Sequence, residues 1–211
     1  MATEQAAAGG AAAQDAAAAG AAPMRIAILG AESTGKSTLA AALARRHGSL
    51  WVPEYLREFV DVMGRVPHED DQPGIARTQL AREDALALRL AQAPAGTWPV
   101  AAPVEQAAPA RRLLFCDTTP LMTAVYSRIY WGRLPDDLLA LEAAHDYALT
   151  LVAAPDLPWV ADGLQRDSEA VRRRVHAQLL AVLQERGIAY VLLTGELAQR
   201  MERVEALLAA A

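Results

Sequence analysis

This 211-residue chain is expected to fold as an α/β domain around a parallel sheet, on three grounds. Short, almost uniformly apolar runs alternate with longer stretches of helical periodicity, as βαβ units require. A glycine-rich string, Gly30-Ala31-Glu32-Ser33-Thr34-Gly35-Lys36-Ser37, joins the first apolar run directly to the first helical pattern. Hydrophobic residues make up 53% and charged residues 21%, the balance of a globular domain with a normal core.

The first 23 residues stand apart. Thirteen of the first 22 are Ala, and Gly9, Gly10 and Gly20 add to the entropy cost of ordering them, so a disordered tail over 1–23 and a folded domain over 24–211 are expected. The tail has neither the basic start and leucine-rich run of a secretory signal nor the arginines of a transit peptide. Strands are predicted at Arg25–Leu29, Leu50–Pro53, Leu113–Cys116, Ala148–Ala153 and Ala189–Leu193. Helices are predicted at Lys36–His47, Ile75–Ala93, Pro120–Tyr130, Asp136–Ala144, Glu169–Arg186 and Glu196–Ala209. Within the fifth, Val171, Val175, Leu179, Val182 and Leu183 recur at spacings of three and four. Pro94–Arg112, rich in Pro and Ala, reads as a mobile surface loop.

Composition excludes several classes. Lys and Arg total 20 against 25 Asp and Glu, a net −5 that argues against non-specific nucleic-acid binding and docking on an acidic membrane. No charge-free apolar run has the length and hydrophobic strength of a transmembrane helix. A single cysteine, Cys116, excludes an internal disulfide framework and a Cys-based zinc site and fits a reducing cytoplasm. His47, His68, His145 and His176 form no metal-ligand spacing.

The glycine-rich string matches the phosphate-loop pattern G-x-x-x-x-G-K-[ST] in full. Backbone N–H groups of Gly35, Lys36, Ser37 and Thr38 are expected to converge on an anion at the start of a helix whose dipole favours negative charge. Gly30 and Gly35 permit backbone angles and close approach that a side chain blocks, and Ala31, Glu32, Ser33 and Thr34 complete the loop. Lys36 places a point charge on the β- and γ-phosphates, and the Ser37 hydroxyl is a candidate Mg²⁺ ligand. A nucleoside triphosphate is the expected ligand.

Ligands of open α/β sheets sit beyond the carboxyl ends of the strands, so acids there matter most. Leu113-Leu114-Phe115-Cys116-Asp117 is an apolar strand closed by a carboxylate, which makes Asp117 a candidate Mg²⁺ ligand and contact for an acceptor hydroxyl. Asp117-Thr118-Thr119-Pro120 also reads as a helix entry, a use compatible with the first. Glu54, which ends the second strand, is the preferred general base; the alternative is a surface charge opening a short helix. Arg57, one turn on, is a candidate for a substrate oxygen. Asp162-Gly163-Leu164-Gln165-Arg166 precedes a helix carrying Arg172, Arg173 and Arg174, which face three directions and cannot serve one ligand together. Arg166 is expected to close over the transferring phosphoryl, with Arg172 as the helix arginine assigned to substrate or to a solvated face.

GAESTGKS at Gly30–Ser37, EYLREF at Glu54–Phe59, Asp117-Thr118-Thr119 after its apolar strand and Asp162-Gly163-Leu164 before a basic helix together resemble the ribosylnicotinamide kinase domain of NadR-type proteins. The likeness runs from about Arg25 to Gly195. It implies a P-loop kinase-like three-layer sandwich with a five-stranded parallel sheet. It also implies ATP- and Mg²⁺-dependent phosphorylation of the 5′-hydroxyl of nicotinamide riboside, giving nicotinamide mononucleotide. Full-length members also carry an adenylyltransferase domain, and some a DNA-binding helix-turn-helix; the 23 residues before the phosphate loop are too few for either, so neither activity is expected of this sequence. Tyr55, Tyr126, Tyr130, Trp131 and Trp159 are the aromatics available to stack on a pyridinium ring, with core packing the other use of Tyr126 and Tyr130. The Thr194-Gly195 loop is the candidate adenine contact. The rivals are a deoxynucleoside or nucleotide kinase, and an ATP-binding regulatory module that transfers nothing. An AAA-type motor would need more chain for a carboxyl-terminal helical domain.

Overall fold

The computed structural model describes residues 22–94, 97, 112–159 and 168–210. Its centre is a five-stranded, all-parallel sheet: β1 (Met24–Leu29), β2 (Leu50–Val52), β3 (Leu113–Asp117), β4 (Leu149–Ala153) and β5 (Val191–Leu193), in the spatial order β2-β3-β1-β4-β5. Seven α-helices surround it among the described residues: α1 (Lys36–Arg46), α2 (Tyr55–Met63), α3 (Gln72–Gln92), α4 (Pro120–Trp131), α5 (Asp136–Ala143), α6 (Glu169–Glu185) and α7 (Leu197–Ala210).

Strand alternation divides the core into two layers. Ile26 and Ile28 of β1 point with Phe115, Leu151 and Leu193 toward Leu39 and Leu43 of α1 and Val204 of α7. Ala27 and Leu29 point the other way, to Leu121, Met122 and Val125 of α4 and Val175, Leu179 and Val182 of α6. On that side Val52, Leu114 and Cys116 pack against Ala87 and Leu90 of α3. Both faces are covered, which is why each strand is apolar throughout rather than alternating.

The order also dictates where ligands bind. From β1 the chain moves outward to β2 and returns through β3, then crosses β1 to β4, so the connections diverge beyond the carboxyl ends of β1 and β3. That switch point is the crevice of a doubly wound sheet. It carries the phosphate loop after β1 and Asp117 at the end of β3, paired in register with Ile28.

Two elements differ from expectation. Glu54–Phe59 is not simply a motif on a strand end: α2 follows at once, ending at Gly64 in the left-handed conformation (φ 63°). A short helix opened by Glu54 is the alternative reading of this motif, and the helix carries little periodic signal because it buries only Val60 well. Helix α3 starts at Gln72, three residues before the apolar periodicity that begins at Ile75. A 3₁₀ turn over Glu69–Asp71 precedes it, and the Asp71 carboxylate accepts the His68 N–H there (2.6 Å). The expected tail, most of the Pro94–Arg112 loop and the Asp162–Arg166 segment lie outside the described residues. Among the described residues no helix is long and apolar enough to cross a membrane.

Candidate active site

The phosphate loop is held from within and from behind. Gly30 adopts φ 146°, and a β-carbon there would stand 2.8 Å from the Ala153 carbonyl oxygen, so β1 and β4 approach closely only with glycine at this position. Gly35 caps α1 in the left-handed conformation (φ 79°), turning the chain into the helix. The Thr34 hydroxyl donates to the Ala31 carbonyl (2.7 Å), and Lys36 Nζ reaches back to the same oxygen (2.9 Å). Thr34 and Lys36 are buried, while Ser37 is half-buried and Thr38 exposed at the helix mouth. Glu32, at the rim, accepts the indole N–H of Trp159 (3.2 Å).

Two arginines grip the loop's outer carbonyls. Arg172 donates to Ser33 O (3.1 Å) and Leu157 O (2.9 Å), and Arg200 donates to Thr34 O, Ala154 O (3.2 Å) and Gly195 O (2.7 Å). Arg172 is 1% exposed, with its guanidinium committed to carbonyls and to Glu169 (3.2 Å). This corrects the expectation of a substrate contact: facing the backbone of two loops, Arg172 shapes the cradle. Sequence reasoning missed Arg200 altogether, because one arginine in a helix with other charges carries no local signal.

Asp117 is fully buried at the end of β3, and among the described residues both its carboxylate oxygens lack a hydrogen-bond partner. Burial pushes its carboxyl up to about 6, and the charge of Glu54 adds to the rise; Lys36, the Ser37 hydroxyl and Arg57 pull the other way. A doubly orphaned carboxylate beside a hydroxyl and a lysine is costly in a bare protein and is the oxygen donor set that a hard divalent cation takes.

Glu54 ends the second strand's loop and faces the same space. Its oxygens meet the Thr118 hydroxyl (3.3 Å) and Arg57 Nε (3.4 Å). Thr118 sits at φ 73°, a strained angle for a β-branched residue. Gln79, 2% exposed on α3, binds both sides of this junction. Its Oε1 accepts the Tyr55 N–H (2.9 Å), and its Nε2 donates to Thr118 O (3.5 Å). Gln79 is a positioning residue that sequence reasoning missed. The available signal was a glutamine standing where the buried stripe of α3 calls for an apolar side chain.

A narrow cleft between α2, α3 and α4 leads away from Glu54. Gln72, Gln79, Thr118 and Thr123 line it with Ile75 and Tyr126. Of the candidate aromatics, Tyr126 faces the cleft. Tyr130, expected at the substrate, is 46% exposed one turn farther on and stacks against Tyr126 with ring centres 6.1 Å apart. Tyr55 lies under the Arg82 guanidinium (4.5 Å) and contributes its backbone N–H rather than its ring. Trp131 is half-buried behind Tyr130. Arg166 lies outside the described residues. The Thr194-Gly195 loop is tied down by the Gly195 N–H, which donates to Asp156 Oδ2 (2.6 Å).

An all-parallel sheet of this order, with a phosphate loop after the central strand and a buried aspartate ending the neighbouring one, defines a P-loop α/β protein of the kinase-like type. Residues 25–200 match the model of an AAA domain family, AAA_28, and the chain belongs to that family. It is 31% identical over 169 residues to the trifunctional NAD biosynthesis/regulator protein NadR of Salmonella typhimurium and 30% identical to that of Escherichia coli. Each alignment takes in 79% of this chain and 37% of the relative, so the match spans well under half of those proteins' length. Among solved structures it resembles NadR in complex with NAD and AMP-PNP (TM-score 0.63, 22% identity, 88% of this chain and 48% of that one). It also resembles thymidylate kinase from Ehrlichia chaffeensis (TM-score 0.57, 11% identity, 89% of this chain and all of that one).

Proposed function

We propose that this protein is an ATP- and Mg²⁺-dependent kinase that phosphorylates the 5′-hydroxyl of nicotinamide riboside. The observation that carries the reading is the pairing of Asp117 with Glu54. Two carboxylates at adjacent strand ends sit close enough for one to raise the other's pKa, between the phosphate loop and the narrow cleft that Gln79, Thr118 and Tyr126 line. A protein that merely binds ATP has no use for the second acid. A solved NadR structure contains NR, which supports a pyridine riboside as the acceptor.

On this reading the loop amides and Lys36 hold the triphosphate, and Ser37 and Asp117 hold the metal. Mg²⁺ supplies charge neutralisation on the phosphate oxygens. Glu54 accepts the proton of the sugar hydroxyl as its oxygen bonds to the γ-phosphorus and the bond to the β-phosphate oxygen breaks, releasing ADP. Thr118 and Arg57 keep the Glu54 carboxylate aimed, and Arg57 extends from it toward solvent, where an incoming sugar passes. Arg166, outside the described residues, remains the arginine assigned to the transferring group's charge. The cleft wall at Tyr126 offers an aromatic face to a cationic ring.

Presenting labelled ATP with nicotinamide riboside and a panel of purine and pyrimidine nucleosides tests the proposal. Label is expected on nicotinamide riboside. Label confined to a deoxynucleoside, or no acceptor-dependent ADP with any compound, would overturn it.

A further inference from the structure

Helix α2 starts without a cap of its own. Glu54 occupies the N-cap position but makes no side-chain bond to the helix, and its carboxylate turns to Thr118 and Arg57 instead. The acceptor for the first free N–H of the helix, that of Tyr55, comes from Gln79 Oε1 on α3 (2.9 Å). The same amide's Nε2 donates to Thr118 O (3.5 Å), on the residue whose hydroxyl meets Glu54. The Tyr55 N–H only donates and Thr118 O only accepts, so one orientation of the amide serves both and its flip serves neither.

Glu83 lies one turn further along α3, fully buried on the same face as Gln79. Its carboxyl accepts the Tyr147 hydroxyl (2.6 Å) and draws further bonds from the Gln79 amide and the Cys116 thiol, with the charge of Arg25 nearby. A carboxyl on a core-facing stripe is costly, and the transfer step itself has no use for it. We propose that Glu83 is a positioning residue of the kinase site, which rests on the function proposed above. By accepting from Gln79 Nε2 it locks the amide orientation that caps α2 and holds Thr118, and so keeps Glu54 aimed. In either protonation state the carboxyl retains an oxygen able to accept, so the lock does not depend on its titration. The Tyr147 hydroxyl in turn fixes the carboxyl.

Steady-state transfer by the full chain tests this, with Glu83→Met, Glu83→Gln, Gln79→Met and the double variant Glu83→Met/Gln79→Met, on whichever of nicotinamide riboside and the nucleoside panel takes label. Glu83→Met is expected to lower kcat about tenfold or more, with KM for ATP within about twofold of wild type. Glu83→Gln, which keeps an oxygen for Gln79, is expected to retain most of the turnover. The double variant is expected to lose no more turnover than Gln79→Met, because both residues act through one amide. A purely structural Glu83 predicts a lowered unfolding midpoint with kcat intact, or losses that multiply. If Glu83→Met shows no ATP-induced thermal shift, Glu83→Asp, which keeps the charge but withdraws the oxygens by one methylene, carries the same comparison. Unchanged turnover, or multiplying losses, overturns the role of Glu83 while leaving the kinase assignment standing. A wild type that transfers phosphate to no acceptor removes both.

Discussion

Arg172 and Arg200 donate to adjacent carbonyls of the phosphate loop, Ser33 O and Thr34 O, from two different helices. In a trans peptide the N–H points opposite the C=O, so fixing these two carbonyls outward fixes the amides of Thr34 and Gly35 on the other side. The cradle's donors are preset before any anion arrives, and the loop is wired to the Gly195 loop through the same Arg200 guanidinium.

Removing Arg200 leaves two buried carbonyls, Thr34 O and Ala154 O, and the half-buried Gly195 O without their donor. Arg200→Met is expected to cost about 3 kcal/mol of stability in urea unfolding, and to weaken ATP binding more than tenfold. Arg200→Lys should recover little, because an ammonium cannot span carbonyls that a planar fork reaches together. Asp156→Asn should cost less than Arg200→Met, since Asp156 is partly open to water and the guanidinium keeps its carbonyl partners. A Lys variant indistinguishable from wild type would refute this account of the loop.

Lys36 has a different standing. The loop's shape comes from Gly30, Gly35 and the two arginines, and Lys36 adds one bond to Ala31 O. Lys36→Ala is therefore expected to abolish phosphoryl transfer while lowering stability by only about 1 kcal/mol. Calorimetric unfolding alongside the transfer assay separates the two effects, and a collapse in both would show that the lysine is structural.

For Glu54→Gln, turnover should fall by roughly 10²–10⁴-fold with ATP affinity nearly unchanged. The amide keeps an acceptor for the Thr118 hydroxyl, so the local geometry has reason to persist. Isothermal titration with ATP and single-turnover transfer provide the pair of readings. Parallel losses in both would place Glu54 in nucleotide binding rather than proton transfer.

What could be read from the chain follows covalent nearness. The phosphate loop lies within eight consecutive residues, and Asp117 is announced by the apolar strand it ends, so both were visible without coordinates. Gln79 joins Tyr55 to Thr118 across 24 and 39 residues of chain, and Arg200 reaches Thr34 across 166; no local pattern carries such pairings. The aromatics show the limit from the other side. Tyr126 and Tyr130 share one helix face by spacing, yet only the packing of α3 against α4 decides which of them meets the cleft. A weak trace did exist in α3, whose buried stripe runs Gln72, Ile75, Gln79, Glu83, Ala87 and Leu90. Three polar side chains on a core-facing stripe mark a helix doing more than packing.

The third of those, Glu83, sets a pH dependence of stability. It is fully buried and accepts the Tyr147 hydroxyl at 2.6 Å through Oε2. Burial pushes its carboxyl from 4.5 up to about 7; bonds from Tyr147 and Gln79 and the charge of Arg25 pull it back only in part. Between about 4.5 and 7 the folded protein thus keeps a proton that the unfolded chain has already lost, so this group's contribution to stability falls as pH rises through that window. His145 acts oppositely. Its half-buried ring is lowered from 6.5 to about 4, so its contribution rises with pH between about 4 and 6.5 and masks part of the Glu83 slope. The difference between wild type and Glu83→Gln isolates the carboxyl, because His145 is common to both. Glutamine keeps an oxygen for Tyr147, and any cost of its new N–H groups is constant with pH. Relative to wild type, Glu83→Gln should gain on the order of 3 kcal/mol between pH 4.5 and pH 8, read from urea unfolding at the two ends. An unchanged difference at both would mean that Glu83 titrates in the folded protein as it does in the unfolded chain.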